Sequence, residues 1–150
     1  MTKQDYEALA GFRRAIRRFL TFSEAAARDA GLTPQQHQLL LALRGYPHRD
    51  WATITELSER LDARQPAVTN IVRRMEVGGL VERRADQKDG RSVSVHATER
   101  GEEVLNRLSR QHLIELKRLK QEFPRIEHLG RAVGAGDLDE GERDPESTAQ

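Results

Sequence analysis

The sequence predicts a mainly α-helical fold with a small β-hairpin wing: a winged helix-turn-helix with long helices at its N- and C-terminal ends. Three observations support this fold class. Two short helix patterns are separated by a break of only four residues, 62–65. Two strand-like runs around a polar loop follow the second of these helices. Long amphipathic patterns come before and after this group.

The first predicted helix spans about residues 5–29 and ends before Gly31. Its apolar residues recur at three- and four-residue spacing, which is typical of one buried stripe. That stripe consists of Leu9, Phe12, Ile16, Phe19 and Leu20.

Capping boxes mark the starts of the next two helices. Thr33 stands where an N-cap is expected, with Pro34 at the first helical position and Gln36 placed to reach back. Thr53 and Glu56 repeat the pattern before a short helix over 54–61. The two helix starts are therefore well defined by sequence alone.

The helix predicted over 66–77 has the features of a recognition helix. Its apolar residues fall on one face, at i, i+3, i+4 and i+7: Val68, Ile71, Val72 and Met75. The remaining face then presents polar and cationic side chains, with two more at the helix entrance: Arg64, Gln65, Thr69, Asn70, Arg73 and Arg74.

These outward side chains have the chemistry of a major-groove surface. Arginine can bond guanine O6 and N7 as a pair, and Asn or Gln can do the same with adenine N6 and N7. We expect Gln65, Thr69, Asn70 and Arg73 to contact bases, and Arg64 and Arg74 to contact mainly phosphates. The alternative is a solvated helix face, which the surrounding helix, turn and wing disfavour.

The predicted wing consists of strands over 80–84 and 92–97, joined by the loop 85–91. Val93 and Val95 alternate with polar residues, as in a strand with one buried face. Lys88 and Arg91 lie in the loop beside acidic residues, and an arginine at a wing tip can enter the narrow minor groove. A charged hairpin loop without DNA contact is the alternative.

The last predicted helix begins after Thr98 and continues to about residue 133, with an interruption at Pro124. A near-heptad stripe runs along it: Leu105, Leu108, His112, Leu116, Leu119 and Phe123. The two terminal helices, about 5–29 and 99–133, carry more apolar surface than one small subunit buries. We therefore expect them to form a homodimer, which suits a two-fold DNA site; folding back on their own subunit is the alternative.

Charge is unevenly distributed along the 150 residues. The formal net charge is +1, but residues 135–150 carry −5, which leaves +6 on residues 1–134. We expect residues 1–134 to form the regulator domain, with a DNA-binding lobe over about 33–98, and the acidic residues 135–150 to be a disordered tail. A moderately basic folded part is compatible with a phosphate-facing surface.

Composition excludes several classes of protein. The absence of cysteine excludes disulfides, thiolate metal sites and thiol-based sensing. No membrane-span or signal-peptide pattern occurs, so we expect a cytoplasmic protein of a bacterium or archaeon, associated with the nucleoid when bound to DNA. No nucleotide loop, zinc-protease motif or serine elbow is present, and the five histidines are dispersed. We expect neither enzymatic activity nor a metal or cofactor.

The segments 80–83, 86–91, 93–95 and 98–101 together resemble the signature of the multiple-antibiotic-resistance regulator (MarR) family: Gly-Leu-Val, a wing with Asp-x-Arg-Asp-x-Arg, and a strand ending in Thr-x-x-Gly. The resemblance extends over about residues 5–123. It implies homodimeric DNA-binding proteins, often repressors, that small aromatic or phenolic compounds release from DNA. It also implies that Arg91 enters the minor groove and that Asp89 orients it. At position 88 this chain has lysine where the family usually has arginine, so Lys88 lacks the planar guanidinium.

The resemblance also places Arg13, Arg17 and His37 on helices that would line an effector pocket, where arginine could hold a carboxylate. The alternative is a basic helix surface and an ordinary helix-start histidine. The expected function is a homodimeric, ligand-responsive repressor of a pseudo-palindromic operator. The rival function is a winged-helix protein-interaction module or anti-regulator that does not bind DNA, although the cationic face disfavours it.

Overall fold

The computed structural model describes residues 1–85 and 93–122. Five helices and three strands follow one another: α1 Lys3–Asp29, α2 Pro34–Arg44, β1 Trp51–Thr53, α3 Ile54–Arg60, α4 Gln65–Val77, β2 Val81–Ala85, β3 Val93–Ala97 and α5 Glu99–Glu122. The chain divides into two compact units. Of the described residues, one unit comprises Met1–Phe19 and 116–122, and the other comprises those within Leu20–Glu115.

The unit Leu20–Glu115 contains the hydrophobic core. Its fully buried large side chains come from α2, α3, α4, the sheet and α5: Leu39, Leu40, Leu43, Leu57, Met75, Leu108, Val68, Val72, Val81 and Val95. Both predicted capping boxes are confirmed. The Thr33 side chain accepts from the Gln36 backbone, and Thr53 does the same with Glu56.

A tight turn joins α3 to α4. Asp62 adopts a left-handed conformation with φ 48°, which Asp tolerates better than most residues. The Ala63 amide donates to the Ser58 carbonyl over 3.0 Å. Helix α4 begins at Gln65, one residue earlier than predicted, and ends at Val77, with Gly78 as its C-cap. Gly79 then takes φ 71°, where a side chain would be strained.

The wing belongs to a three-stranded antiparallel sheet with the order β1-β3-β2. The hairpin pairs Val81 with Ala97 and Ala85 with Val93. These two strands are predicted from the sequence, but β1 is not; it pairs Ala52 with Val95 at the other edge of β3. A three-residue strand is too short to show alternation, and its partner lies far along the chain.

Fewer apolar side chains are buried among the described residues of the other unit. Ala15 of α1 and Leu119 of α5 are buried. In contrast, Leu9, Phe12 and Ile16 of the predicted stripe are 40–45% exposed. The apolar stripe of α1 is therefore incompletely covered by the residues that the structure describes.

Two features are absent from the part of the chain that the structure describes. No helix there is long and apolar enough to cross a membrane. No group of three or more acidic or histidine side chains there could hold a metal ion. The predicted helical segment after Pro124 and the acidic tail lie outside the described residues.

Candidate nucleic-acid interface

Helix α4 separates an apolar face from a polar one, as the sequence predicts. Val68, Val72 and Met75 are buried and Ile71 is half-buried. The predicted contact residues are all exposed: Arg64, Gln65, Thr69, Asn70, Arg73 and Arg74. The burial of the apolar face determines which side chains α4 can present to a partner.

Two of the outward side chains bond each other. Arg73 donates through Nη2 to Asn70 Oδ1 over 2.8 Å. A guanidinium carries five N–H groups, so Arg73 keeps donors for a further partner while this bond orients its plane. The Asn70 amide nitrogen keeps two donors of its own. The pair therefore presents mainly donors, which suit guanine O6 and N7 or a phosphate oxygen.

The entrance of α4 is connected to α3. Arg64 occupies the N-cap position with an extended backbone, φ −71° and ψ 143°. Gln65, the first helical residue, donates through Nε2 to Thr55 Oγ1 over 3.1 Å. Thr55 lies in α3 and was not among the predicted site residues. No sequence pattern predicts this contact, because an exposed threonine within a helix can have many other roles.

An ion pair connects α4 with the first strand of the wing. Arg83 of β2 donates through Nε to Glu76 Oε2 over 3.0 Å, and its backbone amide bonds Glu76 Oε1 over 3.3 Å. The Arg83 side-chain hydrogen bond lowers the pKa of Glu76 below its usual value. The last turn of α4 and the base of the wing are therefore held together.

An aromatic cluster lies at the start of β1. The Arg49 guanidinium is 4.3 Å from the Tyr46 ring centroid and 3.9 Å from that of Trp51. The same guanidinium forms an ion pair with Glu56, whose side chain also caps α3. Arginine between two rings is favourable. The cluster thereby fixes the segment that leads into α3.

His96 of β3 continues this cluster into the sheet. Its ring stacks on Trp51 with centroids 6.0 Å apart, and its Nε2 lies 2.9 Å from Ser94 Oγ. Burial lowers the pKa of His96, and the nearby Arg84 lowers it further. The neutral imidazole is therefore the favoured form beside the wing.

A pair of histidines lies inside the unit Leu20–Glu115. His37 of α2 is only 4% exposed, and its ring centroid is 4.7 Å from that of His112. His112 Nε2 lies 2.7 Å from Ser23 Oγ, and its Nδ1 lies 2.7 Å from the Leu108 carbonyl. Burial lowers the pKa of His37, and the neighbouring His112 lowers it further. The role of His37 in effector binding stays a prediction.

The other predicted site residues are less fully described. Lys88, Asp89 and Arg91 lie outside the described residues. Arg13 and Arg17 are exposed on α1, in the unit that contains the chain ends. Their roles also stay predictions.

The sequence pattern of the MarR family matches residues 30–92 of this chain. YkoM of Bacillus subtilis (strain 168), described as an uncharacterized HTH-type transcriptional regulator, is 30% identical over 112 residues, which cover 71% of this chain and 70% of YkoM. This similarity spans far more than α4.

Two solved structures share the fold. Sco3205, a MarR family transcriptional regulator from Streptomyces coelicolor in complex with DNA, has a TM-score of 0.66 at 22% identity, over 88% of this chain and 82% of its own. NadR in complex with 4-hydroxyphenylacetate has a TM-score of 0.67 at 21% identity, over 89% of this chain and 92% of its own. At such identity the likeness supports the architecture.

Proposed function

Because this chain belongs to the MarR family of transcriptional regulators, we propose that it is a homodimeric repressor that binds a pseudo-palindromic operator and is released by a small aromatic acid. The observation that carries the proposal is the two-faced α4. Its apolar side is buried, its other side exposes Arg73, Arg74 and amide side chains, and Arg64 is exposed at its N-cap. Such a face suits the major groove.

The proposed DNA contacts divide into two groups. Gln65, Thr69, Asn70 and Arg73 contact bases, whereas Arg64 and Arg74 contact phosphates. In the wing, Arg91 enters the minor groove with Asp89 as its orienting partner, and Lys88 contributes charge. Sco3205, which shares the fold, was solved with DNA, and this supports the duplex as the partner.

The homodimer is supported by apolar surface on the terminal helices. Leu20, at the end of the α1 stripe, is 52% exposed, and Leu113 and Ile114 of α5 are each more than half exposed. A second copy would cover such side chains and would match the two-fold symmetry of an operator. Sedimentation equilibrium should give twice the chain mass, and Ile16→Glu, which places a charge in the stripe, should give a monomer.

A small aromatic acid is the proposed effector, with Arg13, Arg17 and His37 as its contacts. The NadR complex with 4-hydroxyphenylacetate supports this class of compound, and a guanidinium suits its carboxylate. As the target is DNA, we place the protein in the cytoplasm of a bacterium or archaeon, at the nucleoid when bound.

A mobility-shift titration on the promoter of the chain's own operon, at two salt concentrations, tests the proposal. We expect tight binding with a steep salt dependence, and weaker binding when 4-hydroxyphenylacetate is added. Arg74→Ala should reduce the slope of log K against log salt by about 2 for a dimer, about 1 for each copy. Weak, salt-insensitive binding would instead favour the rival function, a protein-interaction module.

A further inference from the structure

The hydrogen bond between Gln65 and Thr55 joins the two helices of the helix-turn-helix at their exposed ends. The donor is Gln65 Nε2 and the acceptor is Thr55 Oγ1, over 3.1 Å. Both residues are exposed. Gln65 is the first residue of α4, and Thr55 is the second residue of α3. The bond therefore restrains the side chain of Gln65, which is proposed to contact a base.

The backbones that carry these two side chains are fixed. Thr53 and Glu56 form the capping box of α3, so the Thr55 hydroxyl is not used there. Leu57 of α3 and Val68 of α4 are fully buried in one core. With both backbones held, the hydrogen bond selects which orientation the Gln65 amide adopts.

The hydrogen bond to Thr55 also determines which groups of the Gln65 amide remain available to a base. An amide nitrogen has two hydrogens and the amide oxygen only accepts. One hydrogen of Gln65 goes to Thr55. When this is the hydrogen trans to the amide oxygen, the second hydrogen and the oxygen stay side by side. Adenine offers an acceptor, N7, beside a donor, N6, whereas guanine offers two acceptors. In the orientation held by Thr55, the Gln65 amide matches both groups of adenine. On guanine, the amide oxygen of Gln65 would instead face an acceptor of the base.

The Thr55 hydroxyl retains a hydrogen of its own. A hydroxyl has one donor and two acceptor lone pairs, so it can accept from Gln65 while it donates to a third group. At the exposed end of the helix-turn-helix, a DNA phosphate oxygen is a suitable acceptor. One side chain would thereby connect a phosphate contact with a base contact.

From this geometry we infer that Thr55 is a positioning residue for base recognition, and that it holds Gln65 in the orientation that selects adenine at one position of each half-site. The inference rests on the proposed function, because it assigns a base to a residue of the same interface. It adds a determinant on α3 to those on α4.

Selection from a pool of random duplex DNA tests the inference with four proteins: wild type, Thr55→Val, Thr55→Ser and Gln65→Ala. Valine keeps the shape of threonine without the hydroxyl, and serine keeps the hydroxyl. We expect the adenine preference at one half-site position to fall about three- to tenfold in Thr55→Val, the scale of one hydrogen bond. Thr55→Ser should retain it, and Gln65→Ala should lose it at the same position.

A modified base distinguishes a positioning role of Thr55 from a general loss of DNA affinity in Thr55→Val. Replacing that adenine with 7-deazaadenine, which lacks the N7 acceptor, should weaken binding of the wild type more than binding of Thr55→Val. Equal weakening of both, or a Thr55→Val loss that is uniform over all sequences, would overturn the inference while leaving the proposed function intact. If the wild type enriched no motif, both would fail. Circular dichroism of each variant reports whether it folds.

Discussion

The α-carbon of Gly101 faces the Leu80 carbonyl so closely that a β-carbon built there would lie 2.1 Å from the carbonyl oxygen. Leu80 leads into β2, and Gly101 lies in the first turn of α5. Thr98 supports the same junction, because its backbone amide donates to the Leu80 carbonyl over 3.0 Å. The start of α5 can approach the Leu80 carbonyl this closely only because Gly101 has no side chain.

Gly101→Ala should therefore lower the free energy of unfolding by about 1–3 kcal/mol, because the backbone must shift to admit a methyl group. Urea unfolding followed by circular dichroism measures this. Gly11→Ala is the matched control: nothing lies within 4 Å of the position that a β-carbon would take there, and alanine in an exposed helix should add up to about 1 kcal/mol. Similar effects of the two substitutions would contradict the close approach.

Removal of the cap on α3 should also destabilise the protein. Thr53→Ala loses the side-chain acceptor for the Glu56 backbone amide, and such a loss costs about 0.5–2 kcal/mol. Thr53→Ser keeps the oxygen and should stay near wild type. Urea midpoints of the two variants provide the comparison, and an equally large loss in the serine variant would argue against the cap.

The stability of the protein should fall as the pH decreases below about 6.5. The pKa of buried His37 is lowered in the folded state, so the unfolded state binds the proton at higher pH, near the ordinary value of about 6.5. Unfolding then takes up a proton, and stability is lost as the pH falls from about 6.5 through the lower folded pKa.

Urea titrations between about pH 7.5 and 5.5 measure this dependence, which is at most about 1.4 kcal/mol per pH unit for one proton. His37→Gln should reduce the slope, although His96, whose pKa is also lowered, keeps part of it. Gln38→Ala changes an exposed residue of the same helix as His37 without removing a titratable group, and it should leave the slope as in wild type. A slope that is unchanged in His37→Gln would contradict the assignment.

Arg73→Ala should weaken binding to the selected operator by about 1–3 kcal/mol and relax the base preference at one position of each half-site. Arg73 is exposed on α4, and its bond to Asn70 uses only part of its donor capacity. Fluorescence anisotropy with the operator and with scrambled DNA measures the difference. Arg107→Ala removes one exposed guanidinium from α5 as a control for charge. An equal loss on both DNAs would reassign Arg73 to the phosphates.

The features that the sequence predicted correctly are local ones. The capping boxes at Thr33 and Thr53 need only four consecutive residues each, and the buried face of α4 follows from helical periodicity. Such signals are visible without knowledge of the tertiary structure. The winged helix-turn-helix follows from their order.

The features that were missed depend on residues distant in sequence. Strand β1 exists because Ala52 meets Val95, and His37 meets His112 across 75 positions. The same holds for the contact that makes Gly101 necessary. In each case at least one of the two residues belongs to no distinctive local sequence pattern. The two residues become neighbours only in the folded chain.

The aromatic cluster at the start of β1 has a practical consequence for spectroscopy. Trp51 is the sole tryptophan of the chain, and both the Arg49 guanidinium and the His96 ring pack against it. Its indole emission therefore originates from one known place beside the sheet that bears the wing. Unlabelled protein thus contains an intrinsic optical reporter, in which a change of intensity or wavelength signals a rearrangement at that place.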